Sequence, residues 1–309
     1  EAPAGSRTAI PTWPREDRTV RFSYAETFTD PTYLGPLAVA AEEAGYDSFV
    51  VPDSVLFPAE SDTSYPYTAD GDRAFLEDKP ILEPFALIPY LAALTTTLRF
   101  TTFVVKLAIR PPVLVAKQAA SVAVLSGDRL RFGVGISPWP EDFAAMGLPW
   151  DDRGARMDEA VDVVRGLCAG GWFEYHGTTI DVARCKITPV PQRPIPILVG
   201  GHAAPALRRA AQRGDGWIHA GGDPADLTRM IARLRELRAD SDRADEPFEI
   251  HVISLDAFTL DGVRRLEDAG VTDVIVGFRW PYTVGPDTQP LDEKLDALRR
   301  FADAVVTKA

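Results

Sequence analysis

Acidic, glycine and histidine residues stand directly after several short apolar runs that predict β-strands. Asp53 and Ser54 follow one such run, Gly135 ends another, and Gly200 and His202 follow a third. Parallel α/β proteins bind ligands at the carboxyl ends of their strands, so these residues are expected to meet at one site. Carboxylates and imidazoles there can move protons, and glycines let a ligand approach the backbone amides.

The segment Gly200–Gly201–His202 precedes a predicted helix over 203–212. Backbone amides at such glycines can contact an anion, and the helix N-terminus adds a partial positive charge, which predicts a phosphate contact. A tight turn that needs glycine for a positive φ explains the same residues equally well. The residues alone leave these two interpretations open.

The segment 53–80 fits neither the helical nor the strand period, and loops of this length in compact domains are usually functional. It carries Tyr65 and Tyr67, which together with Trp139 and Trp280 could line a site for a planar ring or an apolar substrate. Each of these rings taken singly is as readily an ordinary core or rim aromatic.

Period and order along the chain predict eight strands, each followed by a helix. This order favours a (β/α)8 TIM barrel over a doubly wound open sheet, with insertions after strands 2 and 4. The second insertion, over 172–191, is predicted to be a hairpin. The first strand ends without the glycine pattern of a dinucleotide-binding fold, which argues against a nicotinamide dehydrogenase. Acidic residues on the helix after strand 4 (Asp158, Glu159 and Asp162) are expected to form a solvated face.

Bulk composition excludes several classes of function. The chain has 309 residues and a formal net charge of -12, so nucleic-acid binding is not expected. No apolar run approaches the roughly 20 residues that cross a bilayer. Residues 1–19 are predicted to be a flexible tail and not a signal peptide, with a single barrel domain over 20–309. Cys168 and Cys185 are expected to be free thiols in a cytoplasmic protein, and the scattered histidines predict no metal site.

Three ordered segments resemble the bacterial-luciferase-like superfamily of flavin and deazaflavin oxidoreductases. They are AEEAGYDSFVVPDS, then KQAASVAVLSGDRLRFGVGISPWPEDFAAMGLPWDDRGARMDEAVDVVRGL, then PVPQRPIPILVGGHAAPALRRAAQRGDGWI. The resemblance implies a cis peptide bond between Phe103 and Val104, under a redox ring of the isoalloxazine type. Many relatives have Asp-His where this chain has Asp53-Ser54, and Pro138 stands where some carry an acid. Both departures put the family's sugar-phosphate oxidation in doubt, because serine is no base near neutral pH without its own activator.

Residues at the strand ends and the resemblance together give the candidate site. The catalytic candidates are Asp53, Ser54, Glu141 and His202. The cofactor-binding candidates are Asp53, Phe103, Val104, Gly135, Ser137, Gly200, Gly201, His202 and His219. The substrate-binding candidates are Tyr65, Tyr67, Trp139, Arg279 and Trp280.

The segment VVPDSVLFPAESDTSYPYTADG and the strand LRFTTFVVKL that follows most resemble the deazaflavin-using branch of this superfamily. This resemblance implies an oxidoreductase that transfers a hydride between coenzyme F420 and a small organic substrate. One alternative is an FMN-dependent monooxygenase that uses reduced flavin and oxygen. Another is a flavin-binding protein without turnover, since a fold can keep its pocket and lose its chemistry. The resemblance also implies a possible homodimer formed through barrel helices.

Overall fold

Eight parallel strands close into a barrel in a computed structural model that describes residues 20–26, 28–68 and 70–309. The predicted (β/α)8 TIM barrel is therefore confirmed, while the tail predicted for residues 1–19 lies outside the described residues. In chain order the strands are β1 (Arg21–Tyr24), β2 (Ser48–Val51), β3 (Arg99–Thr102), β4 (Val105–Lys106), β5 (Leu130–Gly135), β6 (Phe173–His176), β7 (Asp181–Cys185), β8 (Ile197–Gly200), β9 (Gly216–Ile218), β10 (Glu249–Val252) and β11 (Asp273–Val276).

The sheet closes because β1 pairs with both β2 and β11, and β3 pairs with β5. In register, Tyr24 lies beside Val276 on one side and beside Phe49 on the other. The short strand β4 continues β3 and pairs with β5. Nearly all barrel strands are buried along their length, as expected when helices cover the outside and side chains fill the inside.

Nine α-helices surround or cap the barrel in the described part of the chain. They are α1 (Leu34–Glu43), α2 (Pro84–Leu94), α3 (Pro112–Ser126), α4 (Pro140–Ala145), α5 (Arg153–Cys168), α6 (Ala204–Arg213), α7 (Pro224–Ala239), α8 (Leu260–Asp268) and α9 (Leu291–Phe301). The local sequence sets the limits of α3: proline occupies the first turn, where no amide partner is needed, and Gly127 ends the helix in the left-handed region at φ 67°.

The chain over 172–191 contains the predicted antiparallel hairpin, β6–β7, which follows helix α5 and so precedes the fifth barrel strand. Glu159 of α5 holds its tip, because the backbone amides of Thr178, Thr179 and Ile180 donate to the Glu159 carboxylate at 2.7–2.9 Å. Glu159 is also buried. The prediction that it belongs to a solvated face is wrong, because its carboxylate replaces water as the acceptor for the hairpin amides.

Two connections at the carboxyl ends of the strands differ in regularity. Residues 52–83 are here called the lid segment. In the part of it that the structure describes, all except residue 69, the helical structure is a single 3₁₀ turn, Ala74–Leu76. The connection after β5, predicted as a wide loop, contains the short helix α4. None of the described helices combines the length and apolar character needed to cross a membrane.

The amino ends of the strands carry a buried ionic group, here called the basal cluster: Arg21, Arg131, Glu249, His251 and Asp273. Arg21 donates to both oxygens of Asp273, at 3.0 and 2.6 Å, and Arg131 donates to Glu249 at 2.6 Å. His251 Nε2 lies 2.8 Å from Glu249 Oε2 and 3.2 Å from Asp273 Oδ2. The His251 side chain is fully buried.

Candidate functional site

The carboxyl end of β3 forms the floor of the barrel mouth. The Phe103–Val104 peptide bond is cis, as the resemblance implied. A Cβ added at Gly135 would lie 2.7 Å from Val104 Cγ2, and one added at Gly200 would lie 3.0 Å from Val104 Cγ1. Glycine at both positions thus leaves the space that the apolar side chain of Val104 occupies against β5 and β8.

Below this surface the barrel is packed with apolar side chains. One buried layer consists of Val50, Leu198, Ile218 and Ile275. Partly buried residues pack on this layer: Ala25, Phe103, Val104 and Ile253. A filled interior is typical of this fold, so a ligand at the mouth rests on a packed core.

Asp53, at the end of β2, is fixed by two donors from the segment after β3. The backbone amide of Lys106 donates to Oδ2 at 2.9 Å, and Arg110 Nη2 donates to Oδ1 at 2.8 Å. The Asp53 side chain is 1% exposed, so it is a paired and immobile carboxylate. The Ser54 hydroxyl donates to the Leu56 carbonyl at 3.4 Å, which engages it within the lid segment.

A second buried polar group joins β4, β5 and α4. Lys106 Nζ donates to Asp142 Oδ2 at 2.7 Å, and the Ser137 hydroxyl donates to the same oxygen. Ser137 Oγ in turn accepts from the Trp139 amide at 3.1 Å. Among the described residues, Glu141 Oε2 and Asp142 Oδ1 are buried without a hydrogen-bond partner. The predicted site residues Ser137, Trp139 and Glu141 therefore do lie together, around an aspartate to which no role was assigned from sequence.

Arg110 and Asp142 are the polar residues that sequence reasoning missed here. Asp142 was noted only as part of a loop, because the helix that carries it has six residues and too few apolar positions to give a periodic signal. Arg110 lies after β4, 57 residues along the chain from Asp53, and no sequence pattern connects the two positions. An available signal was Lys106, a cation in an otherwise apolar strand, which requires a buried anionic partner.

His202 and His219, from the ends of β8 and β9, stack with ring centroids 4.5 Å apart. The Ala220 amide donates to His202 Nε2 at 3.1 Å, and the Gly221 amide donates to His219 Nδ1 at 3.2 Å. In each neutral ring the other nitrogen then carries the hydrogen, an assignment that follows from this hydrogen-bond pattern.

Burial keeps both histidine rings neutral. It lowers the pKa of His202. For His219, burial and then the neighbouring His202 lower the pKa to about 4, against a weaker opposing contribution from the Ile253 carbonyl. Near neutral pH the pair therefore offers two N–H donors without carrying charge.

The lid segment brings Tyr65 and Tyr67 over the mouth. Tyr65 stacks on Trp139 with centroids 6.0 Å apart and meets Tyr67 edge-on at 5.6 Å. Tyr67 in turn lies 5.2 Å from the His202 ring. Three of the predicted substrate-binding residues thus form one continuous wall that joins the lid segment to the ends of β5 and β8.

Two rings that sequence reasoning missed, Phe75 and Tyr282, extend this wall. The ring centroid of Phe75 lies 4.9 Å from that of Tyr282 and 5.2 Å from that of Tyr65. The ring centroids of Tyr282 and Trp280 lie 5.0 Å apart. Trp280, a predicted substrate residue, is 69% exposed at the end of the chain of rings. Neither missed ring lies in a periodic segment, so only the folded chain reveals that they meet.

Arg279, the remaining predicted substrate residue, belongs to a buried ionic group at the rim. Its Nη2 lies 3.1 Å from Glu26 Oε1, and Lys294 Nζ lies 3.0 Å from the same oxygen and 2.7 Å from Asp287 Oδ2. Two cations and two carboxylates balance here. Arg279 therefore has acidic partners already, and a direct contact with substrate stays a prediction.

A possible metal position exists in the basal cluster, where ligand atoms of Glu249, His251 and Asp273 lie within 4.8 Å of one another. Arg21 and Arg131 already pair with these carboxylates. A divalent cation would add positive charge beside two guanidinium groups in a buried place, which is unfavourable. The absence of a bound metal therefore stays our prediction.

Comparisons with known proteins identify relatives of this chain. An uncharacterized protein of Mycobacterium tuberculosis strain H37Rv is 60% identical over 289 residues, covering 94% of this chain and 100% of the relative. An F420-dependent glucose-6-phosphate dehydrogenase of Beutenbergia cavernae is 31% identical over 252 residues, covering 79% of this chain and 69% of the relative. The solved structure of a coenzyme F420-dependent tetrahydromethanopterin reductase from Methanopyrus kandleri matches with a TM-score of 0.70 at 16% identity, covering 94% of this chain and 99% of that one, a likeness that concerns the fold.

The family assignment rests on the match of a whole-domain model. The model described as luciferase-like monooxygenase matches residues 15–286 of this sequence. The resemblance carried by the three sequence segments is thereby confirmed, and the chain belongs to the luciferase-like monooxygenase family.

Proposed function

We propose that the protein is an oxidoreductase that transfers a hydride between coenzyme F420 and a small organic substrate. The observation that carries the proposal is the apolar floor, where Val104 packs closely against Gly135 and Gly200, together with the wall of aromatic rings at the same mouth. The F420-dependent dehydrogenase at 31% identity and the F420-dependent reductase of the same fold support a deazaflavin over a flavin.

The residues at the mouth fit a planar ring that carries an anionic tail. The apolar floor suits a ring face, and three of the cofactor-binding candidates named from sequence, Val104, Gly135 and Gly200, form it. Gly201, at φ 122°, leads into the N-terminus of α6, where backbone amides and the helix dipole favour a phosphate. When bound, F420 supplies the hydride chemistry of its deazaflavin ring.

Of the four catalytic candidates, we propose that Glu141 moves the proton that accompanies the hydride. Asp53 is locked by two donors, the Ser54 hydroxyl is engaged by a carbonyl, and the accepting nitrogen of His202 is already hydrogen-bonded. Glu141 instead has a buried carboxylate oxygen without a partner in the described residues. A general acid or base needs such a free position.

The proton-transfer assignment is tested with Glu141→Gln. We expect kcat to fall at least tenfold and one limb of the pH–rate profile to disappear, because the amide cannot exchange the proton. The dissociation constant for F420 should stay within about twofold. Glu174→Gln, on the exposed strand β6, is the matched control and should leave both quantities unchanged. A full-rate Glu141→Gln enzyme would exclude this residue.

The cofactor assignment is tested by titrating one preparation with F420 and with FMN, followed by absorbance and fluorescence. The proposal expects tighter binding of F420 and a substrate-dependent change in its absorbance. Gly135→Val, which fills the floor, should abolish that binding, whereas Gly154→Ala on α5 should not, because a Cβ there meets only ordinary contacts. Tight FMN binding without F420 binding would overturn the choice of cofactor.

The alternative is an FMN-dependent monooxygenase that acts on an apolar substrate with reduced flavin and oxygen. The description of the matching family as luciferase-like monooxygenase favours it, as does the aromatic wall. Oxygen consumption with reduced FMN would identify it. Cofactor binding with no redox change across a panel of compounds would instead favour the third reading, a flavin-binding protein without turnover.

We also propose that two copies of the chain associate through the outer face of α2 and α3. Helix α2 has no charged residue and α3 has only Lys117, yet both expose large apolar side chains. The exposed side chains are Tyr90, Leu94, Val113, Leu114, Val124 and Leu125. A helix that is apolar all round is normally covered. Because each chain carries a net charge of -12, an uncharged face is where two copies meet with the least repulsion.

The homodimer is tested by light scattering after gel filtration. Leu114→Glu should convert a dimer to a monomer, because the charge would be buried in the contact. Leu255→Glu is the matched control, since Leu255 is 86% exposed on another side of the barrel. A wild-type monomer at micromolar concentration would exclude the dimer.

We further infer a cytoplasmic protein in which residues 20–309 form one folding unit. Cys168 and Cys185 are both free, which fits a reducing compartment. Fractionation of the producing cell, with detection of the protein in the membrane or secreted fraction as the contrary result, tests the location.

A further inference from the structure

Arg73, on the lid segment, holds its guanidinium group against two aromatic rings. Its Cζ atom lies 4.8 Å from the ring centroid of Phe57 and 5.6 Å from that of Trp139. Trp139 also stacks on Tyr65, so the guanidinium lies beside the wall of rings at the mouth. Contacts of a cation with a ring are electrostatic and need no hydrogen bond, so the N–H groups of Arg73 stay available to other partners.

One edge of this guanidinium has no partner in the described part of the chain. Arg73 Nη1 donates to the Pro58 carbonyl at 2.7 Å, which anchors the arginine within the lid segment. The buried side-chain atoms that lack a partner do not include Arg73 Nε or Nη2, so these two donors face accessible space. They lie side by side on the planar group, and together they can hold both oxygens of one carboxylate.

The lid segment is rich in acids, yet none of those described pairs with Arg73. Residues 52–83 contain eight Asp and Glu residues and two cations, Arg73 and Lys79. The sequence neighbour Asp72 accepts instead from the Ala74 amide, and Arg73 forms no ion pair with any described residue. A partly buried cation without a counter-charge is unfavourable, and an anionic ligand would supply the missing charge.

We propose that the substrate is an aromatic compound that bears a carboxylate, which the Nε and Nη2 edge of Arg73 binds while Trp139 and Tyr65 contact the apolar part. Two parallel hydrogen bonds from a guanidinium fix the direction of the ligand as well as its charge. The placement of a substrate at this mouth rests on the proposed function, whereas the preference for an anionic ligand does not. Arg73 is thus a specificity-determining residue and takes no part in proton transfer.

Acceptor oxygens at the same mouth favour the opposite charge, so the sign of the ligand has to be measured. Glu141 Oε2 and Asp142 Oδ1 have no partner within the described residues and could accept from an ammonium group. Asp142 is already paired with Lys106, whose Nζ lies 2.7 Å from Oδ2. We assign Glu141 to proton transfer, so the charge left to select a ligand is that of Arg73.

The test compares three probes that share one aromatic body: cinnamate, cinnamyl alcohol and cinnamylammonium. Calorimetric titration of the full chain at neutral pH, first without cofactor, gives their dissociation constants. We expect cinnamate to bind about tenfold more tightly than the alcohol, and the ammonium compound to bind more weakly than either. Tighter binding of the ammonium compound, equal binding of all three, or no binding of cinnamate at millimolar concentration would overturn the proposal.

Variants separate the recognition of charge from a structural role. Arg73→Gln should weaken cinnamate binding about tenfold and change that of the alcohol less than about twofold. Arg73→Lys keeps the charge without the planar fork, so it should retain part of the preference. Lys79→Gln removes the same charge from the same segment and should retain all of it, because Lys79 Nζ donates to the Thr283 and Gly285 carbonyls. If Arg73 only holds the lid segment in place, Arg73→Gln will weaken both ligands equally, and the proposal is wrong.

The same titrations with F420 bound distinguish this inference from the proposed function. If F420 does not bind, but the preference for cinnamate depends on Arg73, the cofactor assignment is wrong and the substrate class stands. If F420 binds and Arg73→Gln keeps the preference, the substrate class is wrong and the cofactor assignment stands. Displacement of cinnamate by F420 would place the probe in the cofactor position and contradict the assignment of Arg73 to the substrate.

Discussion

The two ends of the barrel use the same strands for opposite purposes. In the basal cluster, the carboxylates of Glu249 and Asp273 are paired with arginines and with His251. The mouth also pairs charges, such as Asp53 with Arg110, but it adds a wall of aromatic rings that includes Tyr65 and Trp139. Two carboxylate oxygens there, Glu141 Oε2 and Asp142 Oδ1, have no hydrogen-bond partner among the described residues. Both carboxylates of the basal cluster are fully engaged within it, whereas the mouth has carboxylate oxygens left for a ligand.

This difference predicts which measurements respond to substitution at each end. A buried ion pair costs much to break and has little left to offer a ligand, so changes at the base should lower stability and leave the affinity of folded protein for ligands intact. Changes at the mouth should lower the affinity for ligands, with smaller losses of stability than changes at the base. Each prediction below tests whether stability and ligand affinity respond differently at the two ends.

The largest effect is expected from Asp273→Asn in the basal cluster. The variant loses the charge that pairs with Arg21 at 2.6 Å and leaves that guanidinium short of a buried partner. Breaking a buried pair on one side costs about 3–5 kcal/mol, which urea denaturation followed by circular dichroism would measure. Cofactor affinity of the remaining folded protein should stay unchanged.

The matched control for this change is Asp261→Asn on α8. Asp261 also pairs with an arginine, Arg264, at 3.0 Å, but its side chain is 82% exposed. Exposed pairs contribute about 0–1 kcal/mol, so the variant should be close to wild type. Equal losses in the two variants would contradict the special role of the base.

Lowering the pH should weaken the basal cluster over a defined pH range. Burial opposes ionisation of Asp273, but the nearby His251 and Arg21 outweigh it and lower its pKa to about 2. Burial likewise opposes ionisation of Glu249, and hydrogen bonding to His251 and the charge of Arg131 lower its pKa overall. A carboxyl group with a depressed folded-state pKa stabilises the fold above its unfolded pKa, near 4, and loses this contribution as pH falls through the folded value.

The midpoint of urea denaturation should therefore decline as pH falls below about 5, and more steeply in the wild type than in Asp273→Asn. The variant lacks one of the two carboxylates that must be protonated. Parallel pH profiles for the two proteins would mean that the basal cluster does not govern the acid response.

The order of strands and helices was predictable because the signals that set it are local. The apolar face of α3, its initial proline and the left-handed Gly127 all lie within one stretch of chain. The hairpin followed from alternation around a turn. The cis bond at Phe103–Val104 came from family resemblance alone, because nothing in the residue types requires it.

The polar and aromatic contacts of the site were less predictable because they join distant positions. Glu26 and Lys294 pair across 268 residues of sequence, and Phe75 meets Tyr282 only when the lid segment folds over the mouth. The periodicity of a sequence shows which face of its helix or strand a residue lies on. It does not show which distant residue contacts that face. The prediction that Glu159 is solvated was wrong for the same reason, since its hydrogen-bond partners lie on the later hairpin.

An intermediate effect is expected from Gly135→Ala at the mouth. The new methyl group would stand 2.7 Å from Val104 Cγ2, and overpacking of this kind costs about 1–3 kcal/mol. Val104→Ala in the same chain removes the clash, so the double variant should recover much of the stability lost by Gly135→Ala. A coupling energy of about 0.5–3 kcal/mol from denaturation of all four proteins would confirm the contact.

Cofactor binding separates the two contributions of this floor. The double variant should regain stability, but it lacks the Val104 side chain that forms the apolar floor. Its cofactor affinity should therefore remain reduced. If affinity recovers together with stability, Val104 matters only for packing and the mouth behaves like the base.

The smallest effect on stability is expected from Trp280→Ala, at the outer end of the aromatic wall. Its side chain is 69% exposed and contacts Tyr282 at 5.0 Å, so truncation should change the free energy of unfolding by no more than about 0.5 kcal/mol. An aromatic side chain that is exposed yet anchored to a wall of rings is suited to contact a ligand, because it offers a large apolar face at little entropic cost. We therefore expect KM for an aromatic substrate to rise several-fold with kcat nearly unchanged, while Leu255→Ala, which removes an even more exposed apolar side chain, leaves KM as it was. An unchanged KM in Trp280→Ala would show that Trp280 does not contact the substrate. A loss of stability above about 1 kcal/mol would mean that Trp280, like the basal cluster, mainly stabilises the fold.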